Sequence, residues 1–127
     1  MRTSLVISLV LLAVVIGCGM LEEMETERLS SRYESAAEEL RVMAEKSDWG
    51  WAKETVTAYM QDWEDTASWL QLLINHEDID DVTLALVHLE AAIAAKEPAG
   101  CYEACAELKE NARHIHHRDA FTLGNVL

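Results

Sequence analysis

An uncharged apolar stretch near the N-terminus constrains this chain more than any other feature. Residues 3–21 are 19 consecutive positions without a charged side chain. A helix of that length extends about 28 Å, close to the hydrocarbon thickness of a lipid bilayer. The stretch therefore predicts a membrane-spanning helix, and we assign residues 1–21 to a membrane anchor.

The charges at the two ends of this stretch predict its orientation. Arg2 precedes it, and Glu22, Glu23 and Glu25 follow it. Positive charge is retained on the cytoplasmic side of a membrane. We therefore expect a single-pass membrane protein with a cytoplasmic N-terminus and an extracytoplasmic domain.

Two alternative interpretations involve cleavage of the anchor. Residues 5–16 would also serve as the short apolar region of a signal peptide. The residues Val15-Ile16-Gly17-Cys18 loosely resemble the cleavage box of bacterial lipoproteins, which makes Cys18 a candidate lipidation site. The length of the stretch and its charge asymmetry favour an uncleaved anchor. All three interpretations place the domain outside the cytoplasm, and two of them attach it to the membrane.

The rest of the chain is short and strongly acidic. The whole chain has 127 residues and a formal net charge of −13, a length that allows one domain. Residues 22–127 carry 9 Lys and Arg against 23 Asp and Glu, a net charge of −14. Such a charge argues against binding nucleic acid, which needs clustered Lys and Arg, and against docking on anionic lipid through a basic face.

Apolar residues beyond the anchor recur at helical spacing almost throughout, without the alternation that is typical of strands. The spacing predicts an all-α fold in which the transmembrane helix continues as one rod to about Lys46. Three further helices then complete an up-and-down bundle of about four helices. The predicted inward positions are Leu29, Tyr33, Ala37, Leu40, Met43 or Ala44, Ala52, Val56, Tyr59, Trp63, Ala67, Leu70, Leu73 or Ile74, Val82, Leu86, Leu89, Ile93, Cys101, Cys105, Leu108, Ala112 and Ile115.

Polar residues and the only proline predict where these helices begin and end. Ser47-Asp48 offers an N-cap for the second helix, which is predicted to end near Asn75-His76. Asp78 is the predicted cap of the third helix. Pro98 suits the first position of the fourth helix.

The predicted domains follow from these boundaries. The acidic helical bundle covers residues 22–118. A short C-terminal tail, residues 119–127, is less polar than most disordered ends and is predicted to pack on the bundle.

Several spaced residues together resemble one known family. They are Trp49, Trp51, Trp63, Trp69, His76-Glu77 with Ile79-Asp80, and the ending Phe121-Thr122-Leu123-Gly124-Asn125-Val126-Leu127. This pattern resembles a bacterial domain-of-unknown-function family of short proteins from spore-forming Gram-positive lineages. The resemblance implies an N-terminal membrane helix, a tryptophan-bearing helix, a His-Glu turn and an Asn-aliphatic C-terminus that includes Asn125. It implies no activity.

Cysteines and histidines of the predicted fourth helix are candidate metal or redox residues. Cys101 and Cys105 are four positions apart on the inward stripe, and His114 and His117 are three apart near the helix end. Two imidazoles at that spacing can chelate one metal ion, and a thiol near a helix N-terminus favours the thiolate. The same residues also have explanations without a ligand, which we favour. The thiols pack in the core as small apolar groups, and the histidines complement the negative end of the helix.

Trp69 and His76 are seven residues apart and share a helical face, so they are candidates for lining a ligand groove. We favour a structural interpretation, in which Trp63 and Trp69 fill the core and His76 ties the turn with Glu77 or Asp80. The same residues are thus expected to support the fold more than to bind a ligand.

The sequence contains no recognisable catalytic or cofactor-binding motif. It has no HExxH, no Gly-rich phosphate loop, no CxxC and no nucleophile elbow. We expect a non-enzymatic protein without a cofactor, which acts as an interaction module and binds a protein partner in the cell envelope. The alternative is a metal- or redox-responsive module that uses Cys101, Cys105 and a histidine.

Overall fold

Four helices form the part of the chain that the structure describes. The computed structural model covers residues 1–126, with described side chains except at 22–23 and 116–126. The helices are α1 (Arg2–Glu45), α2 (Trp49–Leu70), α3 (His76–Ala94) and α4 (Pro98–Val126), and no strand forms within residues 1–126. The prediction of an all-helical bundle is confirmed.

Helix α1 has two parts with opposite surroundings. The side chains of the uncharged stretch are almost all exposed, and Met24 is still 65% exposed. From Thr26 onward one face is buried, with Tyr33 and Leu40 in the core. Because the helix is unbroken from Arg2 to Glu45, the apolar segment and the first bundle helix form the single rod that the periodicity predicts.

The bundle is closed by contacts between neighbouring helices. Helix α1 packs against α2 and α4, and α3 packs against the same two helices. Short connections make each helix antiparallel to the next one. The core holds the side chains expected from the helical spacing, with Trp63, Tyr33, Leu40, Leu70, Leu86, Leu89, Leu108 and Ile115 among the largest that are fully buried.

Two of the connections share one local geometry. Ser47 and Lys96 follow α1 and α3 with φ of 57° and 54°, in the left-handed region. The N–H of Asp48 donates to the carbonyl of Met43, and the N–H of Glu97 donates to the carbonyl of Ala92. These are the bonds of a Schellman ending, which usually places glycine at the left-handed position. Both turns here carry a larger residue instead.

The connection between α2 and α3 differs from its prediction. Helix α2 ends at Leu70, five to six residues before the predicted end at Asn75-His76, and a turn covers residues 71–74. The N-cap of α3 is Asn75, whose side-chain oxygen accepts from the Glu77 N–H at 3.2 Å. The prediction that Asp78 caps α3 is wrong, because Asp78 lies inside the first turn and is buried.

Helix α4 begins at Pro98, as predicted, and runs antiparallel to α1. Arg113 of α4 donates to the carboxylate of Glu34 on α1, so these two residues lie at the same level of the two helices. The helix continues through Val126, so it includes most of the segment that was predicted as a tail. The prediction that this tail packs on the bundle depends on side chains that lie outside the described ones.

Candidate functional site

Three aromatic side chains meet where α1 packs on α2. The Tyr33 ring lies 5.1 Å from the Trp63 ring and 5.9 Å from the Tyr59 ring, measured between centroids, and both contacts are edge-to-face. This is the favoured arrangement of aromatic quadrupoles. Tyr33 and Trp63 are buried, whereas Tyr59 is partly exposed at the surface of the bundle. The three aromatic side chains therefore form a cluster that extends from the core to the surface of the bundle.

Polar groups surround these rings and hold them in place. The Tyr59 hydroxyl donates to a Glu39 carboxylate oxygen at 2.9 Å, and Arg32 forms an ion pair with Asp62 at 2.6 Å. Burial raises the pKa of the Tyr33 phenol well above its ordinary value, with the nearby charge of Asp62 as the next cause. Burial also raises the pKa of Tyr59. Both phenols are neutral at physiological pH, so neither acts as a general base there.

A shallow groove lies beside this cluster, on the solvent side of α1 and α2. It offers one guanidinium, two carboxylates and an indole that is 62% exposed. We call it the α1–α2 groove, and the residues that line it are Arg32, Glu39, Trp51, Glu54, Thr55, Ala58 and Tyr59. Charged groups around an exposed aromatic ring are suited to contact a protein segment. The groove is the best candidate binding surface of the bundle.

Cys101 and Cys105 lie in the core and are not bonded to each other. Burial raises the pKa of the Cys105 thiol to about 12, and burial raises the pKa of Cys101 as well. A buried thiol with a raised pKa holds little of the nucleophilic thiolate. Their surroundings therefore agree with the interpretation of these cysteines as core residues.

The candidate histidines have carboxylate neighbours. His114 Nε2 lies 3.4 Å from Glu110 Oε1, one turn away on α4, and His88 Nδ1 lies 3.1 Å from Glu107 Oε2. The side chain of His117 lies outside the described ones. Among residues whose side chains are described, no group of three His, Cys, Asp or Glu side chains is placed to hold a metal ion.

The structure separates the two tryptophans that were predicted to fill the core. Trp63 is 2% exposed, and its Nε1 donates to Thr83 Oγ1 of α3 at 2.8 Å. Trp69 is 42% exposed, so the prediction of a core position is wrong for this residue. Trp69 follows Trp63 by six residues and is about 120° away from it round the helix, so it lies off the face that buries Trp63 and Leu70.

The other residues of the family pattern lie in three places. Trp49 and Trp51 begin α2 at the far end of the bundle, His76-Glu77 and Ile79-Asp80 lie near the α2–α3 connection, and the side chains of the C-terminal residues of the pattern lie outside the described ones. His76 and Glu77 are exposed at the start of α3, where Asn75 ties the turn in the role that was predicted for His76. Asn125 belongs to the part of α4 without described side chains. The structure thus brings Trp69 and His76 to the same end of the bundle, on either side of the α2–α3 connection.

That connection carries exposed apolar side chains that sequence reasoning missed. Leu72 is 86% exposed and Leu73 is 46% exposed, and with Trp69 they form what we call the apolar turn. The signal was present in the sequence, because residues 69–70 and 72–74 are all apolar. One side of a helix cannot bury so many consecutive apolar residues.

One helix of the described chain is long and apolar enough to cross a membrane. It is α1, and the most apolar 18-residue part of it is entirely exposed. A signal sequence meets the same criteria of length and composition. The finding is a single candidate span at the N-terminal end.

Comparison with known proteins identifies a family without assigning an activity. No curated protein and no solved structure matches the chain. The family model described as a domain of unknown function, DUF4363, matches residues 22–126, which include the whole of α2, α3 and α4 and the packed part of α1. This match confirms the predicted resemblance to a family of unknown function, and it indicates no biochemical activity. The chain belongs to the DUF4363 family.

Proposed function

We propose that the chain is a membrane-anchored, non-enzymatic protein whose acidic bundle lies outside the cytoplasm and binds a protein of the cell envelope. The observation that carries the proposal is the composition of α1. One unbroken helix contains an exposed, uncharged 19-residue stretch and then a bundle helix with a buried face.

The exposed stretch supports anchoring because it has no protein partner within the described chain. All the large apolar side chains from Leu5 to Ile16 are about half exposed or more. An apolar surface of that size is unfavourable in water, and insertion in a bilayer removes it from water. The length of the stretch matches the hydrocarbon thickness.

The charges that flank the stretch support the orientation. Arg2 lies on the N-terminal side, and the 106 residues on the other side carry a net charge of −14. Retention of positive charge in the cytoplasm then favours an extracytoplasmic bundle. The same acidity favours a basic or cationic partner, because opposite charges steer association.

The α1–α2 groove supports an interaction role. Trp51 supplies exposed aromatic area, and Glu39 and Glu54 supply negative charge at its sides. We propose that a basic, partly apolar segment of an envelope protein binds there.

Thiol labelling of the full chain tests the orientation. The variant Lys53→Cys, in a Cys18→Ala background, is expected to react with a membrane-impermeant maleimide on intact protoplasts. The matched variant Thr3→Cys, which keeps Arg2, is expected to react only after the membrane is opened. Labelling of position 3 but not of position 53 on intact protoplasts would contradict the proposed orientation.

Photocrosslinking tests the interaction role. A photoreactive amino acid in place of Trp51 is expected to give one adduct of defined mass, and Glu54→Lys is expected to weaken it by charge reversal. The control position is Leu84, which is also exposed but lies on α3. No adduct at position 51, or equal adducts at both positions, would argue against binding at the groove.

A further inference from the structure

The apolar turn is an exposed apolar feature of the bundle outside the uncharged stretch of α1. Leu72 is 86% exposed, which is more than any other large apolar residue with a described side chain except Met1. Trp69 and Leu73 lie beside it in sequence and are about half exposed. Three such side chains in one connection are costly to hold in water. Their position in the bundle indicates what covers them.

Ion pairing and helix rise place the apolar turn at the end of the bundle from which the uncharged stretch emerges. Arg32 of α1 lies 2.6 Å from Asp62 of α2, and the two helices are antiparallel. Met24 precedes Arg32 by eight residues, about 12 Å along α1, and Trp69 follows Asp62 by seven residues, about 10 Å along α2. The two displacements point in the same direction, so Trp69 and Met24 lie at about the same level.

The burial pattern of α1 marks the same level as the edge of the bundle. Thr26 is 1% exposed, whereas Met24 is 65% exposed and Leu21 is 64% exposed. Packing of the bundle on α1 is therefore established at Thr26, five residues or about one and a half turns after the uncharged stretch. A bilayer around that stretch would have its surface beside the α2–α3 connection.

We propose, on the basis of the proposed membrane anchor, that the apolar turn inserts into the interfacial region of the same bilayer that α1 spans. Tryptophan prefers this region, because its ring has a large apolar area and a polar N–H. Leu72 and Leu73 bury their side chains among the upper acyl chains. The bundle thus has a second membrane contact beside its anchor.

The contact depends on apolar burial and not on charge. Glu77 and Asp80 lie just beyond the turn on α3, and Glu25 and Glu27 lie at the same level of α1. These carboxylates are repelled by anionic headgroups. Insertion is therefore expected to be strongest in zwitterionic phosphatidylcholine and to weaken as anionic lipid is added.

Fluorescence quenching in proteoliposomes tests the contact with the full chain. Leu72→Cys, Trp51→Cys and Leu12→Cys are made separately in a Cys18→Ala background and labelled with an environment-sensitive fluorophore. Cys101 and Cys105 are buried and stay unlabelled. Position 51 is the matched control, since it is exposed on the same helix as Trp69 but about 27 Å away along the helix axis. The vesicles contain phosphatidylcholine with a nitroxide at the headgroup or in the acyl chain.

The expected result is headgroup-nitroxide quenching at least about threefold stronger at position 72 than at position 51. The label at position 12 is expected to be quenched by acyl-chain nitroxide. Equal, weak quenching at positions 72 and 51, with strong quenching at position 12, would overturn the insertion and leave the anchor intact. Absence of quenching at position 12 would overturn the anchor and the insertion together. Quenching by aqueous iodide distinguishes a second copy of the chain from the bilayer. If position 72 is still protected from iodide in detergent, and the protection rises with protein concentration, a second copy covers the turn. That result would also overturn the insertion.

Discussion

The indole Nε1 of Trp63 donates to Thr83 Oγ1 at 2.8 Å, and the same hydroxyl donates to the carbonyl of Ile79 at 2.9 Å. The hydroxyl proton is directed at the helix backbone, so the oxygen is left free to accept from the indole. This chain of two hydrogen bonds joins α2 to α3 at the rim of the core. It supplies the partner that a buried indole N–H requires.

Thr83→Val is expected to lower the free energy of unfolding by about 1 kcal/mol, because it leaves the Trp63 N–H without its acceptor. In a Trp63→Phe background, the same change is expected to have almost no effect, since Phe has no donor. Chemical denaturation of the full chain in mild detergent, followed by circular dichroism, measures both values. Equal effects of Thr83→Val in the two backgrounds would show that the hydrogen bond does not stabilise the fold.

Lys96→Gly is expected to raise the free energy of unfolding by about 0.5–1 kcal/mol, because Lys96 occupies the left-handed region at φ 54°. Glycine adopts that conformation without steric cost, and this gain exceeds the entropy that glycine loses on folding. Thermal unfolding in detergent is the measurement.

Ala95→Gly is the matched control for this change, one residue earlier at φ −81°. It is expected to be destabilising by about 0.5–1 kcal/mol, because an ordinary helical conformation offers glycine no advantage. If both variants are destabilised to the same degree, the left-handed residue is not strained in the folded chain.

The buried thiols predict a loss of stability at alkaline pH. Burial raises the pKa of Cys105 from an ordinary 9.0 to about 12, and burial also raises the pKa of Cys101. The unfolded chain therefore releases these protons at a lower pH than the folded chain does. By linkage, the thiol contribution to stability is complete below the unfolded pKa and decreases as the pH rises from there towards the folded pKa.

Denaturation between about pH 8 and about pH 9 tests this effect in a window where tyrosines of the unfolded chain, with an ordinary pKa of about 10, are still mostly protonated. The free energy of unfolding is expected to fall across the window for the native chain. The double variant Cys101→Ala/Cys105→Ala is expected to be less stable at neutral pH but to show a flatter pH dependence. Identical slopes for the two proteins would exclude the thiols as the cause.

Cys18→Ala distinguishes the retained anchor from a lipoprotein. Cys18 lies on the exposed part of α1, which is continuous with the bundle. For an uncleaved anchor, we expect the variant to keep the mass of the full chain, apart from the substitution, and the same membrane fraction. Intact mass spectrometry and membrane fractionation measure both properties. Loss of lipid labelling or a change in size in the variant would favour lipidation at Cys18.

Periodicity predicted the parts of the fold that depend on one helix alone. Tyr33, Val56 and Leu86 are buried because a spacing of three or four residues places apolar side chains on one face, whatever covers that face. Pro98 was predicted correctly for a similar reason, since a proline at the first helical position gives up no intrahelical hydrogen bond. The buried face of each helix and the start of α4 thus depend on residues close together in the sequence.

The parts that depend on the meeting of two helices were not predicted. The apolar run continues past Leu70, so the spacing gave no sign that α2 ends there. The α1–α2 groove likewise combines Arg32 with Trp51, which are distant in sequence. Only the register of the packed helices brings such residues together, and the register follows from the turn geometry and the core packing.

In the proposed membrane-anchored state, the unbroken helix α1 transmits the tilt of the membrane segment to the bundle. Residues 26–45 extend about 30 Å beyond the point where packing begins. A membrane helix that tilts by about 20° therefore displaces the far end of the bundle sideways by about 10 Å. A thicker bilayer reduces the tilt that a given apolar length requires. The thickness of the lipid would thus determine where in the envelope Glu45 and the distal turns of the bundle are found.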